Sequence, residues 1–159
     1  MRILIVDDNA SLRQLLASLF TKAGHEVVAI LEDGGPQVEE KIRRMLPDLV
    51  CLDYNLPGRD GITILKSIQI IAPQIHVLFM TASNDDDIEQ CAADAGASGF
   101  IRKPFGQAQI MRELAMLSEA RKHAVWADSE PPADETAKSP PPSPDGQGAE
   151  RGTAVIADD

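Results

Sequence analysis

Aromatic residues are scarce in this chain of 159 residues: Phe, Trp and Tyr make up 4% of it, against a hydrophobic share of 43%. A core of ordinary globular size can still be built, but it has to be aliphatic. Cysteine is nearly absent. Two residues, Cys51 and Cys91, exclude a disulfide framework, and Cys51, set in an aliphatic run, reads as a small core residue. Positive charge is in deficit. The formal net charge of −10 argues against the clustered Lys and Arg surface that nucleic acid requires. No apolar run approaches the roughly 20 residues needed to cross a bilayer. No signal peptide is read at the N-terminus, which goes straight into an aliphatic run and then charges. A cytoplasmic protein, binding neither nucleic acid nor membrane, is the expectation.

What the chain does have is a repeated alternation. Arg2–Val6 is a short aliphatic run ending at Asp7-Asp8 and reads as a strand buried on both faces. Asn9 or Ser11 caps a helix whose stripe is Leu12, Leu15, Leu16, Leu19 and Phe20, and Gly24 stops it. A second strand follows at Glu26–Ile30, then a helix over Asp33–Leu46 with Pro36 in its first turn. Asp48–Asp53 is a third strand, NLPG at 55–58 a turn, and Gly61–Ile71 a helix with Ile62, Leu65 and Ile68 inward. Ile75–Met80 is a fourth strand, and Asn84–Ala95 a helix opened by three aspartates. Ser98–Arg102 is a fifth strand, and Gln107–His123 a last helix with Ile110, Leu114 and Leu117 on its core face. Five strands alternating with five helices predict an α/β fold: a five-stranded parallel sheet, right-handed crossovers and helices on both faces.

This domain is expected over residues 1–123. Beyond it the periodicity stops. Residues 124–159 carry eight acids and two bases, and residues 129–152 hold six prolines. Such a stretch buries too little apolar surface to offset its chain entropy, so 124–152 is predicted to be a disordered, proline-rich acidic linker or tail.

The strand ends carry the chemistry. Asp7 and Asp8 follow the first strand, Asp53 ends the third, Thr81 follows the fourth and Lys103 the fifth. In a parallel sheet these ends share one edge, where ligands bind. Three carboxylates close together repel, and a cation relieves the repulsion. Hard oxygen ligands with room for water suit Mg²⁺. A divalent metal, a lysine and a hydroxyl around a carboxylate make a site for a phosphoryl group, with Asp53 as nucleophile. Taken singly, each residue has an ordinary reading as a cap, a turn or a surface charge. Four independent strand ends with compatible groups make the combination specific.

The motifs ILIVDD, DLVCLDYNLPGRDG, LFMTAS and GASGFIRKPF, in that order over about residues 1–120, resemble the two-component response-regulator receiver domain. The resemblance implies the flavodoxin-like (βα)5 receiver fold. It implies that Asp53 accepts phosphate from a histidine kinase or a histidine phosphotransfer domain. Asp8 would bind Mg²⁺ directly, Asp7 through water, and the backbone carbonyl of Asn55 would be a further ligand. Lys103 would contact the phosphoryl oxygens, and Thr81 would hydrogen-bond the group and shift toward it. Phe100 matches the switch aromatic that turns inward with Thr81, and Lys103-Pro104 matches a peptide bond that is cis in the family. The partner surface would be the face of the fourth helix, fifth strand and fifth helix, meeting a downstream protein or a second copy of the chain. Two departures stand out: Arg59 where a methionine is common, expected to bear on the partner surface, and His76 in a strand that is usually aliphatic.

Two rival readings make different demands on the sequence. A phosphohydrolase with an aspartate nucleophile would want a D-x-D pair on one strand and a cap domain. A flavodoxin-like cofactor binder would want a Ser/Thr/Gly-rich loop after the first strand, where this chain has DDNAS. These residues support neither, so the expectation is a phosphoacceptor switch with self-directed chemistry only. Finally, TAVIADD at 153–159 echoes RILIVDD at 2–8. It reads as the truncated start of a second receiver; coincidence in an acidic tail is the alternative.

Overall fold

The computed structural model describes residues 1–128, with side chains as far as residue 124. The expected linker over 124–152 therefore lies almost wholly outside the described residues, and the echo at 153–159 lies entirely outside them.

The elements alternate as the sequence implies: β1 (Arg2–Val6), α1 (Ala10–Lys22), β2 (Glu26–Leu31), α2 (Gln37–Met45), β3 (Leu49–Asp53), α3 (Gly61–Ile71), β4 (His76–Thr81), α4 (Asp86–Asp94), β5 (Gly99–Arg102) and α5 (Gln107–Asp128). All strand pairs are parallel, in the order β2-β1-β3-β4-β5. Every carboxyl end therefore lies on one edge. Successive strand residues face opposite sides, and each side has its own aliphatic layer. Leu4, Val6, Val50, Leu52, Val77 and Phe79 pack with Ile42 of α2, Leu65 of α3 and Ala92 of α4. Ile3, Ile5, Leu49, Cys51, Leu78 and Met80 pack with Leu16 of α1 and Leu114 of α5. β3 is buried along its whole length, as a central strand covered on both faces must be.

Local chemistry explains the helix ends. The Asn9 side chain accepts from the Leu12 N–H and caps α1, and Asp60 does the same for α3 through Thr63. Gly24, at φ 84°, turns the chain out of α1. The stripe expected on α1 is narrower than its spacing suggests, because Leu15 is 49% exposed while Leu16, Leu19 and Phe20 are buried.

α2 begins four residues later than expected. Asp33 instead makes a turn, its carboxylate accepting from the Gly35 N–H at 2.9 Å and from the Gln37 side chain. Pro36 sits at the cap position, and Leu46 ends the helix in the left-handed region at φ 47°. α3 keeps its expected bounds, but Ile64 joins Leu65 and Ile68 in the core while Ile62 is half-buried. α4 starts at Asp86 because Asp85 is its cap, accepting from the Asp87 N–H. α5 runs to Asp128, five residues beyond its expected end. Its far part is tied to the amino edge of the sheet by Arg121, 2.7 Å from Asp48. Among the described residues no helix is long and apolar enough to cross a membrane.

Candidate functional site at the carboxyl edge

β1 ends and leaves Asp7 fully buried while Asp8 is exposed. One Asp7 carboxylate oxygen accepts from the Asn9 N–H at 2.8 Å, and the other accepts from Lys103 Nζ at 2.6 Å. Asp53, the last residue of β3, is only 3% exposed, and Lys103 Nζ lies 3.2 Å from its Oδ1. Carboxylate oxygens of Asp7, Asp8 and Asp53 come within 4.8 Å of one another. One ammonium thus spans two of three converging acids.

Asp53 is held well above the ordinary carboxylate range, at about 6. Burial is the main cause, opposed by the Lys103 charge and reinforced by the negative charge of Asp7; the Asn55 N–H, bonded to the carboxylate, pulls the other way. The cluster has more negative charge than its lysine offsets, and its donors are hard oxygens with Asp8 open to solvent. That donor set fits Mg²⁺.

Thr81 ends β4, fully buried, and its Oγ1 accepts from the Ser83 N–H at 3.0 Å. Its carbonyl accepts from the Lys103 N–H at 2.7 Å, which joins the ends of β4 and β5. The Lys103-Pro104 peptide bond is cis. Phe100 lies on β5, half-buried and stacked on Phe79, with ring centroids 6.0 Å apart and planes inclined by 16°. The Arg102 guanidinium lies 5.9 Å from the centre of the Phe100 ring and pairs with Asp86 and Glu89 of α4.

The structure thus brings Asp7, Asp8, Asp53 and Lys103 into one cluster, with Asn55 beside Asp53 and Thr81 joined through the Lys103 backbone. The Arg59 fork closes on the buried Glu39 carboxylate with two contacts of 2.8 Å. Glu39 and Ser67, whose hydroxyl also donates to Glu39 at 2.7 Å, were not singled out by their sequence context. His76 is half-buried, and its Nδ1 lies 3.2 Å from the Ser98 hydroxyl. Beside the acid cluster, an open groove of about 320 Å³ runs between α1 and the β5–α5 loop, lined by Leu12, Leu15, Lys103, Pro104 and Phe105.

Doubly wound parallel sheets with an acid cluster and a lysine at the carboxyl edge define a narrow class. Residues 3–115 match the response regulator receiver domain, and the chain belongs to that family, the receivers of two-component signalling. It is 40% identical over 113 residues to the chemotaxis protein CheY of Bacillus subtilis, covering 71% of this chain and 93% of that protein. It is 39% identical over 104 residues to sporulation initiation phosphotransferase F of the same organism, covering 65% of this chain and 82% of that one. Among solved structures, the CheX–CheY–BeF3–Mg²⁺ complex of Borrelia burgdorferi superposes with a TM-score of 0.69 at 27% identity, over 74% of this chain and 89% of that one.

Proposed function

We propose that this chain is an Mg²⁺-dependent phosphoacceptor switch in which Asp53 takes the phosphoryl group. The observation that carries the reading is the position of Lys103, whose ammonium reaches both the buried Asp7 and the buried Asp53. A carboxylate held near 6 is mostly ionised at neutral pH, so Asp53 is available as a nucleophile. One of its oxygens attacks phosphorus, the bond to the donor's imidazole nitrogen breaks, and that nitrogen leaves with its electron pair and is protonated. Lys103 stabilises the transferred oxygens. Asp8, Asp7, Asp53 and the Asn55 carbonyl are the residues that would hold Mg²⁺, which supplies positive charge against the phosphoryl oxygens when bound.

The donor is a phosphohistidine on a histidine kinase or phosphotransfer domain. The apolar groove beside Lys103 supports its approach, since a docked donor there is adjacent to the acceptor. Phosphorylation adds charge and acceptor oxygens beside Thr81 and Lys103. Thr81 then shifts to donate its hydroxyl to the phosphoryl group, and the Phe100 ring follows. The α4–β5–α5 face, where Arg102 joins β5 to α4, changes shape for a downstream protein or a second copy of the chain. No turnover of an external substrate is part of this function.

Labelling with acetyl phosphate tests the reading. The chain with Mg²⁺ should gain one phosphoryl group by intact mass, and Asp53→Asn should gain none. Label that persists in Asp53→Asn would sink the assignment.

A further inference from the structure

The β3–α3 loop, residues 54–60, carries the Asn55 carbonyl assigned to the metal. Its ends are closed by backbone bonds, from Tyr54 N–H to the Met80 carbonyl and from Gly61 N–H to the Tyr54 carbonyl, both 2.8 Å. Its middle is held from outside. The Gly34 N–H donates to the Pro57 carbonyl at 2.9 Å. Arg59 returns the contact: Nε donates to the Gly34 carbonyl at 2.6 Å and Nη2 to the Gly35 carbonyl at 3.0 Å. The same guanidinium grips both oxygens of Glu39, and Ser67 of α3 donates to that carboxylate. One side chain therefore joins the β2–α2 loop, α2, the metal-side loop and α3.

We propose that Arg59 is a positioning residue that fixes the β3–α3 loop in the shape metal binding requires. The inference rests on the Mg²⁺-dependent reading above. Mg²⁺ demands near-ideal geometry at short distances, so a backbone ligand on a loose loop is a poor one. The stretch Asn55–Asp60 has a glycine at φ 92°, and the bonds that brace its middle reach across to the β2–α2 loop and α2. Glu39 is only 8% exposed, so removing Arg59 would leave a buried carboxylate without its cation. Arg is the residue type that can do this, because a planar fork satisfies a carboxylate and two carbonyls at once. Lysine offers a single ammonium and methionine offers no donor. Groups that orient a metal's ligands affect affinity without touching the ion.

The test compares Arg59→Met, Arg59→Lys and Ile42→Val in the full chain. Ile42 is a buried α2 residue, so shortening it loosens the same helix without touching the fork. Mg²⁺ affinity is measured by calorimetry, and amide hydrogen exchange across residues 54–61 is followed in metal-free protein. Arg59→Met should weaken Mg²⁺ binding by about tenfold or more and speed exchange across the loop. Arg59→Lys should recover part of both, and Ile42→Val should change neither. Unchanged affinity and exchange in Arg59→Met, or an equal loss in Ile42→Val, would overturn the proposal. A parent chain that binds no Mg²⁺ would overturn the metal reading instead, and the exchange arm would still decide whether Arg59 fixes the loop.

Discussion

Lys103 stands closer to Asp7 than to Asp53: its ammonium is 2.6 Å from the first carboxylate and 3.2 Å from the second. Asp7 is fully buried, so this lysine is the counter-ion of a buried acid as well as a close neighbour of Asp53.

Removing Lys103 should therefore be costly in itself. Lys103→Met leaves a buried carboxylate without its cation, and losing one partner of such a pair costs about 3–5 kcal/mol. The three acids then lean wholly on metal, so added Mg²⁺ should stabilise Lys103→Met more than the parent. Denaturant unfolding with and without Mg²⁺ measures both effects. An equal or smaller Mg²⁺ increment in the variant would contradict the counter-ion role.

Glu39 predicts a pH dependence. The hydrogen bonds from Arg59 hold its carboxyl at about 2, below the ordinary 4.5, against the opposing effect of burial, and Ser67 adds to the lowering. A depressed carboxylate pKa adds stability that is complete above the unfolded value and fades as pH falls through the folded one. The window is thus pH 4.5 down to about 2, and the amount is on the order of 3 kcal/mol. In Glu39→Gln this contribution is gone. The stability gap between parent and variant should narrow as pH falls through that window; a constant gap would show that the ion pair does not set it.

The two cysteines should separate cleanly. Cys51 is buried in β3, and burial pushes its thiol far above the usual range, while Cys91 is exposed on α4. A colorimetric thiol reagent should titrate one group per native chain and a second only in denaturant. Two fast thiols in the native state would place β3 closer to solvent than described.

Gly61 stands where a side chain has no room. A Cβ there would lie 2.4 Å from the Asp53 carbonyl oxygen and 2.8 Å from the Tyr54 Cα. Gly61→Ala must move the peptide next to Asp53, and overpacking of this kind costs about 1–3 kcal/mol. Both the melting temperature and acetyl phosphate labelling should fall. Gly106→Ala, with nothing within 4 Å of the added carbon, should change neither and serves as the control.

Much of this architecture was legible because it is written in consecutive residues. Each aliphatic run ends where a strand ends, so Asp7, Asp53 and Lys103 could be assigned to one edge before any contact was known. Their convergence within hydrogen-bonding distance follows from parallel pairing. Arg59 and Glu39 show the opposite case: they stand 20 residues apart, on a loop and a helix, and neither periodicity nor motif links them. The start of α2 was misplaced for a related reason. Asp33 has the composition of a helix start, but its carboxylate closes a turn on Gly35. Leu15 fits the spacing of a core stripe, yet it faces the groove beside Lys103 rather than the sheet.

The alternation of the strands continues into the site. Asp7 follows Ile3 and Ile5, Asp53 follows Leu49 and Cys51, and Lys103 follows Ile101, all in register with the layer under α1 and α5. Thr81 follows Val77 and Phe79, and Phe100 packs with that opposite layer under α2–α4. The sheet is therefore a partition, with the acid cluster and its lysine in line with one compartment and Thr81 and Phe100 in line with the other. The Lys103 N–H bonded to the Thr81 carbonyl marks a place on the rim where the two compartments meet.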